Sequence, residues 1–163
     1  MQQEPQTLIH PLDPIFAEDS RILILGSFPS ALSRQIAFYY GNPQNRFWKV
    51  LSTIFECPLP QTNRDRKALI LSNRLALWDV IASCRISGSA DSSISRVVPN
   101  DLSKILSRAP IRKILLNGKT AARWFYKYHP DVKTPTVVLP STSPANAAWS
   151  LERLCEVWKH EML

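Results

Sequence analysis

RILILGSFPS, residues 21–30, joins a short apolar run to a small polar loop. The run is continuous and rich in isoleucine, and Gly26 follows it at once. Such a run is typical of a strand that is buried on both faces of a parallel sheet. GSFPS therefore predicts a loop at the carboxyl end of that strand, which is where ligands bind in open α/β sheets.

Three further apolar runs repeat this pattern. They are LALWDVI at 75–81, RKILL at 112–116 and TVVL at 136–139, and each leads into polar residues. Helical spacing of apolar residues predicts helices at 46–55, 64–73, 120–128 and about 146–160, with shorter ones near 31–38 and 101–108. The alternation predicts an α/β fold, a three-layer α/β/α domain with a central four-stranded parallel sheet.

The remaining segments complete a single domain over residues 1–163. Residues 1–20 are polar and contain three prolines, so we expect an extended N-terminal arm. Residues 83–95 are polar and rich in Gly and Ser, and they include Arg85 and Asp91. We expect a long loop there, and loops of that length in compact domains tend to be functional.

Composition limits the classes of function. Hydrophobic residues make up 45% of the chain, yet no apolar run reaches membrane-spanning length and no secretory signal is visible, so we expect a cytoplasmic monomer. Three scattered cysteines and three histidines without ligand spacing predict no metal and no cofactor. The net charge of +7 indicates a polyanionic partner, nucleic acid first.

Residues 39–48, YYGNPQNRFW, combine two aromatics, a turn and an Asn-Arg pair ahead of a helix. That mixture suits a flat ligand held beside a polyanion. The loops GSFPS and PSTSPAN (140–146) share small and hydroxylated residues that suit phosphate oxygens, although ordinary turn chemistry would explain either loop alone. GxGxxG, the P-loop pattern and G-x-S-x-G are all absent, so dinucleotide, P-loop and nucleophile-elbow chemistry have no support.

GSFPS, the NRFWK segment at 45–49, LWDV, LLNGK and LPSTSP occur in an order that resembles the uracil-DNA glycosylase superfamily. The resemblance runs from about residue 21 to residue 158 and is closest to the hypoxanthine (deoxyinosine) DNA glycosylase family. NRFWK also resembles the mismatch-specific uracil-DNA glycosylases. The resemblance implies a monofunctional glycosylase that hydrolyses the N-glycosidic bond of deaminated bases in DNA: hypoxanthine, with uracil or xanthine as further substrates.

The resemblance also implies roles for individual residues. Phe28 occupies the first-motif position where most superfamily members place a water-positioning Asn or Asp. In the hypoxanthine family an Asn in the segment matching NRFW takes over, and here that residue is Asn45. Tyr40 matches the aromatic that stacks on the extruded base, and Asp79 matches the base-reading position. Asn117, like Phe28, would border the base.

Phosphate contacts follow from the same resemblance, with Ser143 as the residue that grips the backbone. The implied phosphate-binding set is Ser27, Ser30, Ser141, Ser143 and Arg46. The position of the residue that normally wedges into the duplex falls near Ala145 or Asn146, both small. Three scattered cysteines exclude the iron-sulfur subgroup.

Alternatives remain open for the residues and for the activity. Asp79 could be a structural acid paired with Arg85 or a helix N-terminus, Asn45 a helix cap, and Tyr40 a packing aromatic. A mismatch-type uracil-DNA glycosylase is the main rival. A nucleic-acid-binding domain without catalysis would keep the charge and Tyr40, but it has no use for Asn45 and Asp79 together.

Overall fold

Seven strands and six helices occur in the part of the chain that the computed structural model describes, residues 6–87 and 93–163. The strands are β1 (Thr7–Ile9), β2 (Ile22–Gly26), β3 (Leu75–Asp79), β4 (Ile81–Arg85), β5 (Ser95–Pro99), β6 (Lys113–Asn117) and β7 (Thr136–Leu139). The helices are α1 (Ala31–Ile36), α2 (Phe47–Ile54), α3 (Asn63–Ser72), α4 (Ser103–Leu106), α5 (Lys119–Tyr128) and α6 (Leu151–Met162).

The central sheet has four parallel strands in the order β3-β2-β6-β7, which confirms the predicted fold class. Ile22 pairs with Leu75 on one side and with Lys113 on the other, and Ile114 pairs with Thr136. Every residue of β2 and β3 is buried, as expected for apolar strands covered on both faces. All four carboxyl ends therefore meet at one edge.

The connections diverge between β2 and β6. The chain leaves β2 through α1, α2 and α3 to reach β3 on one side, and later returns to β6 on the other side before continuing to β7. Right-handed crossovers then place the early helices on one face of the sheet, and α4 and α5 on the opposite face. Such a divergence is the topological switch point, where a crevice opens beyond the carboxyl ends of the strands.

Helix α2 is fixed beneath that crevice by its apolar face. Phe47, Val50 and Leu51 are fully buried, and the Phe47 ring meets the Trp158 ring of α6 edge-on with centroids 6.2 Å apart. Burial of a side chain of this size stabilises the fold by roughly 1.5–3 kcal/mol. The start of α2 is thereby held in place, together with Asn45 and Arg46, which directly precede it.

A second sheet was not predicted. Strands β1, β4 and β5 form an antiparallel sheet in that order, so the expectation of a loop over 83–95 is wrong at both ends. The pairing of β4 with β5 shifts register twice, between Ile81 and Ser83 and between Ser83 and Arg85. These irregularities interrupt the period-2 pattern that identifies a strand. Asp91 lies outside the described residues.

The N-terminal arm takes part in both sheets. Residues 7–9 pair with β4, the His10 N–H donates to the Ala82 carbonyl at 2.7 Å, and Ile15 forms an isolated bridge to Leu77 of β3. The arm is extended, as expected, but it is also built into the fold. At the other end, α6 begins at Leu151 rather than near 146, because Ser150 caps it by accepting from the Arg153 N–H.

No helix among the described residues is long and apolar enough to cross a membrane.

Candidate functional site

A cleft of about 830 Å³ opens at the carboxyl edge of the central sheet, at the switch point. It falls within the range of about 300–1,000 Å³ typical of small-molecule sites. Nine of the ten predicted site residues line it: Ser27, Phe28, Ser30, Tyr40, Asn45, Asp79, Asn117, Ser141 and Ser143. Arg46 does not.

Gly26, at the end of β2, allows two side chains to reach the floor of the cleft. A Cβ at this position would lie 2.5 Å from Oδ1 of Asp79 and 2.9 Å from the hydroxyl oxygen of Tyr40. Both distances are shorter than van der Waals contact, so any side chain at position 26 would displace a polar group of the site. Glycine at position 26 therefore allows the Asp79 and Tyr40 side chains to approach the end of β2 closely.

Asn45 is fixed by its carbonyl oxygen. Oδ1 accepts from the Phe47 N–H at 3.0 Å, the first N–H of α2, and from the Thr142 hydroxyl at 2.8 Å. A backbone N–H can donate only to the oxygen, so these bonds also settle the orientation of the amide. Both acceptor positions of Oδ1 are occupied, and no described group accepts from Nδ2. Asn45 therefore offers N–H donors, and not a carbonyl, to a ligand.

Thr142 and Asn117 join this residue to the rest of the site. Asn117 donates through Nδ2 to the Thr142 hydroxyl at 3.0 Å and to the Tyr40 hydroxyl at 3.1 Å, while its Oδ1 accepts from the Thr142 N–H at 3.0 Å. Thr142 is completely buried, and its own hydroxyl hydrogen goes to Asn45. We call these four residues, Tyr40, Asn45, Asn117 and Thr142, the amide wall.

Tyr40 lines the cleft. One face of its ring stacks on Phe47 with centroids 4.0 Å apart and an interplanar angle of 24°. The residue has φ of 52°, a left-handed conformation that costs about 1–3 kcal/mol for a non-glycine residue and is often found at functional sites. The stack and the Asn117 bond hold it there.

Asp79, at the end of β3, lines the cleft on the side of β2 away from Asn117. His10 bonds to Asp79 without lining the cleft itself, and we call the pair the carboxylate wall. Oδ2 of Asp79 lies 2.8 Å from Nε2 of His10, and the two side chains are 6% and 3% exposed. Oδ1 has no partner among the described residues and lines the cleft. The proposed pairing of Asp79 with Arg85 is not present; Arg85 instead donates to Thr7 at 3.4 Å.

The His10 ring has one possible arrangement of hydrogens in these surroundings. Nδ1 accepts from the Leu12 N–H at 3.2 Å and therefore carries no hydrogen. The hydrogen of the neutral ring is then on Nε2, which donates to Asp79. The ring also packs edge-on against Phe28, with centroids 5.9 Å apart, and tilted against Tyr39 at 6.1 Å.

The charge of Asp79 is felt by both neighbouring phenols. Burial raises the pKa of Tyr40 well above its ordinary value, and the Asp79 carboxylate raises it further. The pKa of Tyr39 is raised by the same two causes in the same order. Both phenols therefore stay protonated, and the Tyr40 hydroxyl, which accepts from Asn117, keeps its own hydrogen for a ligand.

Arg46 holds the loop at 141–149 from behind. Its Nη2 donates to the carbonyls of Ser143 at 3.0 Å and Asn146 at 3.1 Å, and its Nη1 donates to the Trp149 carbonyl. Its backbone N–H also donates to the Thr142 carbonyl at 3.0 Å. Three of the guanidinium hydrogens are thus directed at the protein, so Arg46 shapes the loop that contains Thr142.

The four predicted phosphate serines differ in what they can donate. Ser30 caps α1 and directs its hydroxyl to Ser33 at 3.1 Å. Ser141 and Ser143 each accept from a backbone N–H, of Ser143 and of Ala145, which leaves their hydroxyl hydrogens free. Ser27 has no described hydrogen-bond partner for its hydroxyl. Ser27, Ser141 and Ser143 are therefore the available donors.

Two cations also line the cleft, and neither was predicted. Lys119, exposed, opens helix α5 directly after Gly118, whose φ of 95° and contact with Ser141 favour glycine. Arg34 lies with its guanidinium carbon 5.6 Å from the centre of the Phe28 ring and donates to the Pro29 carbonyl. Both add positive charge at the mouth of the cleft.

Besides Lys119 and Arg34, sequence reasoning assigned no role to Thr142, which lines the cleft, or to His10, which bonds to Asp79. Thr142 was visible only as one of several hydroxyl residues in its loop, and His10 lies in an arm with no periodic pattern. Within the described residues, no group of three or more His, Cys, Asp or Glu side chains could hold a metal ion.

Comparison with known proteins gives consistent matches. The family model described as the uracil DNA glycosylase superfamily matches residues 14–160. A protein of Methanosarcina acetivorans named hypoxanthine DNA glycosylase is 36% identical over 154 residues, 90% of this chain and 95% of that one. A protein of the same name from Methanosarcina barkeri is 33% identical over 138 residues, 82% of this chain and 85% of its own length.

The fold matches as well. A solution NMR structure of a Methanosarcina acetivorans protein, described as a candidate uracil DNA glycosylase, superposes with a TM-score of 0.82 at 32% identity. The match covers 95% of this chain and 97% of that one.

Proposed function

Because the chain belongs to the uracil DNA glycosylase superfamily, we propose that it is a monofunctional DNA glycosylase that removes deaminated bases, hypoxanthine first. A glycosylase must extrude its target nucleotide from the duplex, at an unstacking cost of a few kcal/mol that is smallest for mispaired bases. The cleft accepts the extruded base between the amide wall and the carboxylate wall. The enzyme works as a monomer without a cofactor.

The free Oδ1 of Asp79 is the observation that carries the proposal. Asp79 is nearly buried at the edge of the cleft, its Oδ1 has no donor among the described residues, and a ligand that supplies an N–H would bond to that oxygen. Deamination creates such a donor: N1 of adenine and N3 of cytosine are acceptors, whereas N1 of hypoxanthine and N3 of uracil carry hydrogen. Asp79 would therefore accept from hypoxanthine or uracil and repel adenine or cytosine.

Tyr40 would hold the plane of the base. Its free ring face stacks on the heterocycle, a contact worth about 1–3 kcal/mol for each base. Phe47 supports the ring from behind, and the Asn117 bond fixes its rotation. Phe28, which packs on His10, closes the side of the cleft next to Asp79.

Asn45 would position the attacking water by donation. Its Oδ1 is already used twice, so a water bound by Asn45 accepts from Nδ2 and keeps both of its hydrogens for other groups. As the bond breaks, the sugar becomes cation-like and the base leaves with negative charge. The N–H of Asn45 and the O–H of Tyr40 are donors held in advance for that charge.

Phosphate contacts would come from groups whose donors are free. Ser27, Ser141 and Ser143 retain hydroxyl hydrogens, and Lys119 and Arg34 add charge at the mouth of the cleft. Arg46 would contribute indirectly, by holding the loop of Ser141 and Ser143. The net charge of +7 supports a salt-dependent attraction to DNA.

A cleavage assay tests the activity. Duplexes with one hypoxanthine, uracil or xanthine are incubated with excess enzyme, and abasic sites are cleaved with alkali. We expect abasic product from hypoxanthine. The rate of excision should fall by about 100-fold or more in Asn45→Ala and Asp79→Ala, and it should not fall in the exposed control Asn63→Ala. Product from uracil alone would favour the mismatch-type alternative. No product from any of the three bases would exclude the enzyme and leave a nucleic-acid-binding domain.

Asn45→Asp separates donation from acceptance. Aspartate keeps the acceptor for Phe47 N–H and Thr142 but replaces the Nδ2 donors with an oxygen. We expect Asn45→Asp to be as inactive as Asn45→Ala in single-turnover excision of hypoxanthine. Activity at or above wild type in Asn45→Asp would mean that the residue acts as an acceptor or base.

Borohydride tests the monofunctional assignment, because Lys119 lines the cleft. Water as nucleophile leaves no covalent adduct, whereas a lysine nucleophile would be trapped on DNA as a reduced Schiff base. We expect no trapped complex.

A further inference from the structure

His10 reaches Asp79, a residue that lines the cleft, from the N-terminal arm, outside every segment that carries the family resemblance. We propose that His10 is a positioning residue that acts through Asp79: it fixes that carboxylate as a hydrogen-bond acceptor with Oδ1 directed at the base. The inference rests on the proposed function, since it concerns how the same site selects its substrate.

His10 is held from several directions. Its backbone N–H donates to Ala82 of β4 at 2.7 Å, immediately after the β1–β4 pairing ends. Nδ1 accepts from the Leu12 N–H, and the ring packs against Phe28 and Tyr39. The side chain is only 3% exposed. A ring restrained at its backbone, its faces and one nitrogen has little freedom to turn Nε2 away from Asp79.

This restraint decides what Asp79 can do. Because Nδ1 is an acceptor, Nε2 carries the hydrogen, and Oδ2 of Asp79 must accept it. A carboxyl group that accepts at Oδ2 presents Oδ1 to the cleft, where the missing side chain of Gly26 leaves room for it. Oδ1 is then a fixed acceptor with no described donor of its own, and a base N–H is its complement.

Selectivity follows from the fixed role of the carboxylate. A carboxyl group that took up a proton could donate to N1 of adenine, whereas an ionised carboxylate only accepts, for example from N1–H of hypoxanthine. With Oδ2 bonded to His10, the adenine lone pair meets a carboxylate lone pair. The arm thus contributes to the rejection of normal adenine, and its sheet pairing places it for that role.

Two substitutions of His10 separate the bond to Asp79 from the packing of the arm. Asparagine places its amide near the Nδ1 position, so His10→Asn keeps the partner of the Leu12 N–H and loses the donor to Asp79. Glutamine places its amide nitrogen near the Nε2 position, so His10→Gln keeps that donor. Ile9→Ala, an exposed position 74% accessible on the same arm, is the matched control.

Single-turnover excision and DNA binding are measured for each variant. We expect His10→Asn to slow hypoxanthine excision by about 10- to 100-fold, the range for losing a hydrogen bond to a charged group. His10→Gln should recover to within about 5-fold of wild type, and Ile9→Ala should match wild type. The dissociation constant for duplex DNA should stay the same in all three, because no phosphate contact is changed. Equal losses in His10→Asn and His10→Gln would overturn the proposal and leave His10 a packing residue.

Nitrogen NMR of histidine-labelled protein gives an independent measurement. We expect the His10 signals, assigned by their disappearance in His10→Asn, to be those of the neutral Nε2–H form, and to shift in Asp79→Asn. The Nδ1–H form or a charged ring would contradict the proposal even if excision behaved as expected. Absence of excision by the wild type would refute the proposed function instead, and the NMR result would then still report on the His10–Asp79 bond.

Discussion

The two sides of the cleft differ in how their polar atoms are satisfied. On the amide wall, Asn117, Thr142 and Asn45 bond to one another and to the start of α2, and every amide oxygen has a partner inside the protein. On the carboxylate wall, Asp79 has one described side-chain partner, His10, and one free oxygen. The amide wall therefore leaves only donors free for a ligand, at Asn45 and Tyr40, whereas the carboxylate wall leaves an acceptor free.

That difference suggests that the two sides of the cleft have separate roles. A network whose members satisfy each other is rigid before any ligand arrives, which suits the positioning of a stacking ring and a water. A nearly buried carboxylate oxygen without a donor gains most from a ligand that brings one, which suits recognition. Catalysis and selectivity would therefore respond separately to substitutions on the two sides.

Gly26→Ala should have the largest effect, because it disturbs both sides at once. Its Cβ would meet Oδ1 of Asp79 at 2.5 Å and the Tyr40 hydroxyl at 2.9 Å. We expect hypoxanthine excision to fall by about 100-fold or more, and the free energy of unfolding to drop by about 1–3 kcal/mol from overpacking. Single-turnover kinetics and urea denaturation measure the two quantities.

A comparison with Asp79→Asn would sharpen this result. If Gly26→Ala acted through the carboxylate wall alone, the two variants would lose activity equally. We expect Gly26→Ala to lose more, because Tyr40 is displaced as well. Excision within about 3-fold of wild type would contradict the close approach described at residue 26.

Thr142→Val should have an intermediate effect, confined to the amide wall. Valine keeps the shape of threonine but removes the hydroxyl that bridges Asn117 and Asn45. It leaves two half-buried amide groups each short of a partner, so we expect a loss of stability of about 1–3 kcal/mol and of activity of about 10-fold. Thr142→Ser, which keeps the hydroxyl, should stay close to wild type. Thermal unfolding and excision rates would measure these two losses. A change in base preference would contradict the expectation that the effect is confined to the amide wall.

The parallel sheet and most of the cleft were predictable because both depend on local patterns. Apolar runs such as 21–25 and 112–116 fix buried strands, and parallel strands bring their following loops to one edge. The family resemblance then identified Tyr40, Asn45 and Asp79 as residues that line the cleft, as they do. The buried strands and the sheet edge that bears the cleft could therefore be predicted from the sequence.

The second sheet and the bonds inside the site were not predictable in this way. Strand β4 pairs irregularly, and β1 has only three residues in a proline-rich arm, so neither produces a periodic signal. The bond between His10 and Asp79 joins residues 69 positions apart. The bond between Asn45 and Thr142 spans 97 positions and depends on the loop that Arg46 holds. Such pairs follow from the folded topology alone.

Alkaline pH should give the smallest effect, and it links the two sides through charge. Burial, and then the Asp79 carboxylate, raise the pKa of Tyr40 and Tyr39 above the value of about 10 expected in the unfolded chain. A group whose folded pKa is raised contributes stability below its unfolded pKa and loses it as pH increases. We therefore expect an unfolding temperature that is insensitive to these phenols from pH 7 to about 9 and falls above about pH 10. The fall should also occur in Asp79→Asn, because burial, the first cause of both raised pKa values, remains, and it should be unchanged in the exposed control Tyr126→Phe. An unfolding temperature that stays constant above about pH 10 would contradict the raised pKa of the two phenols.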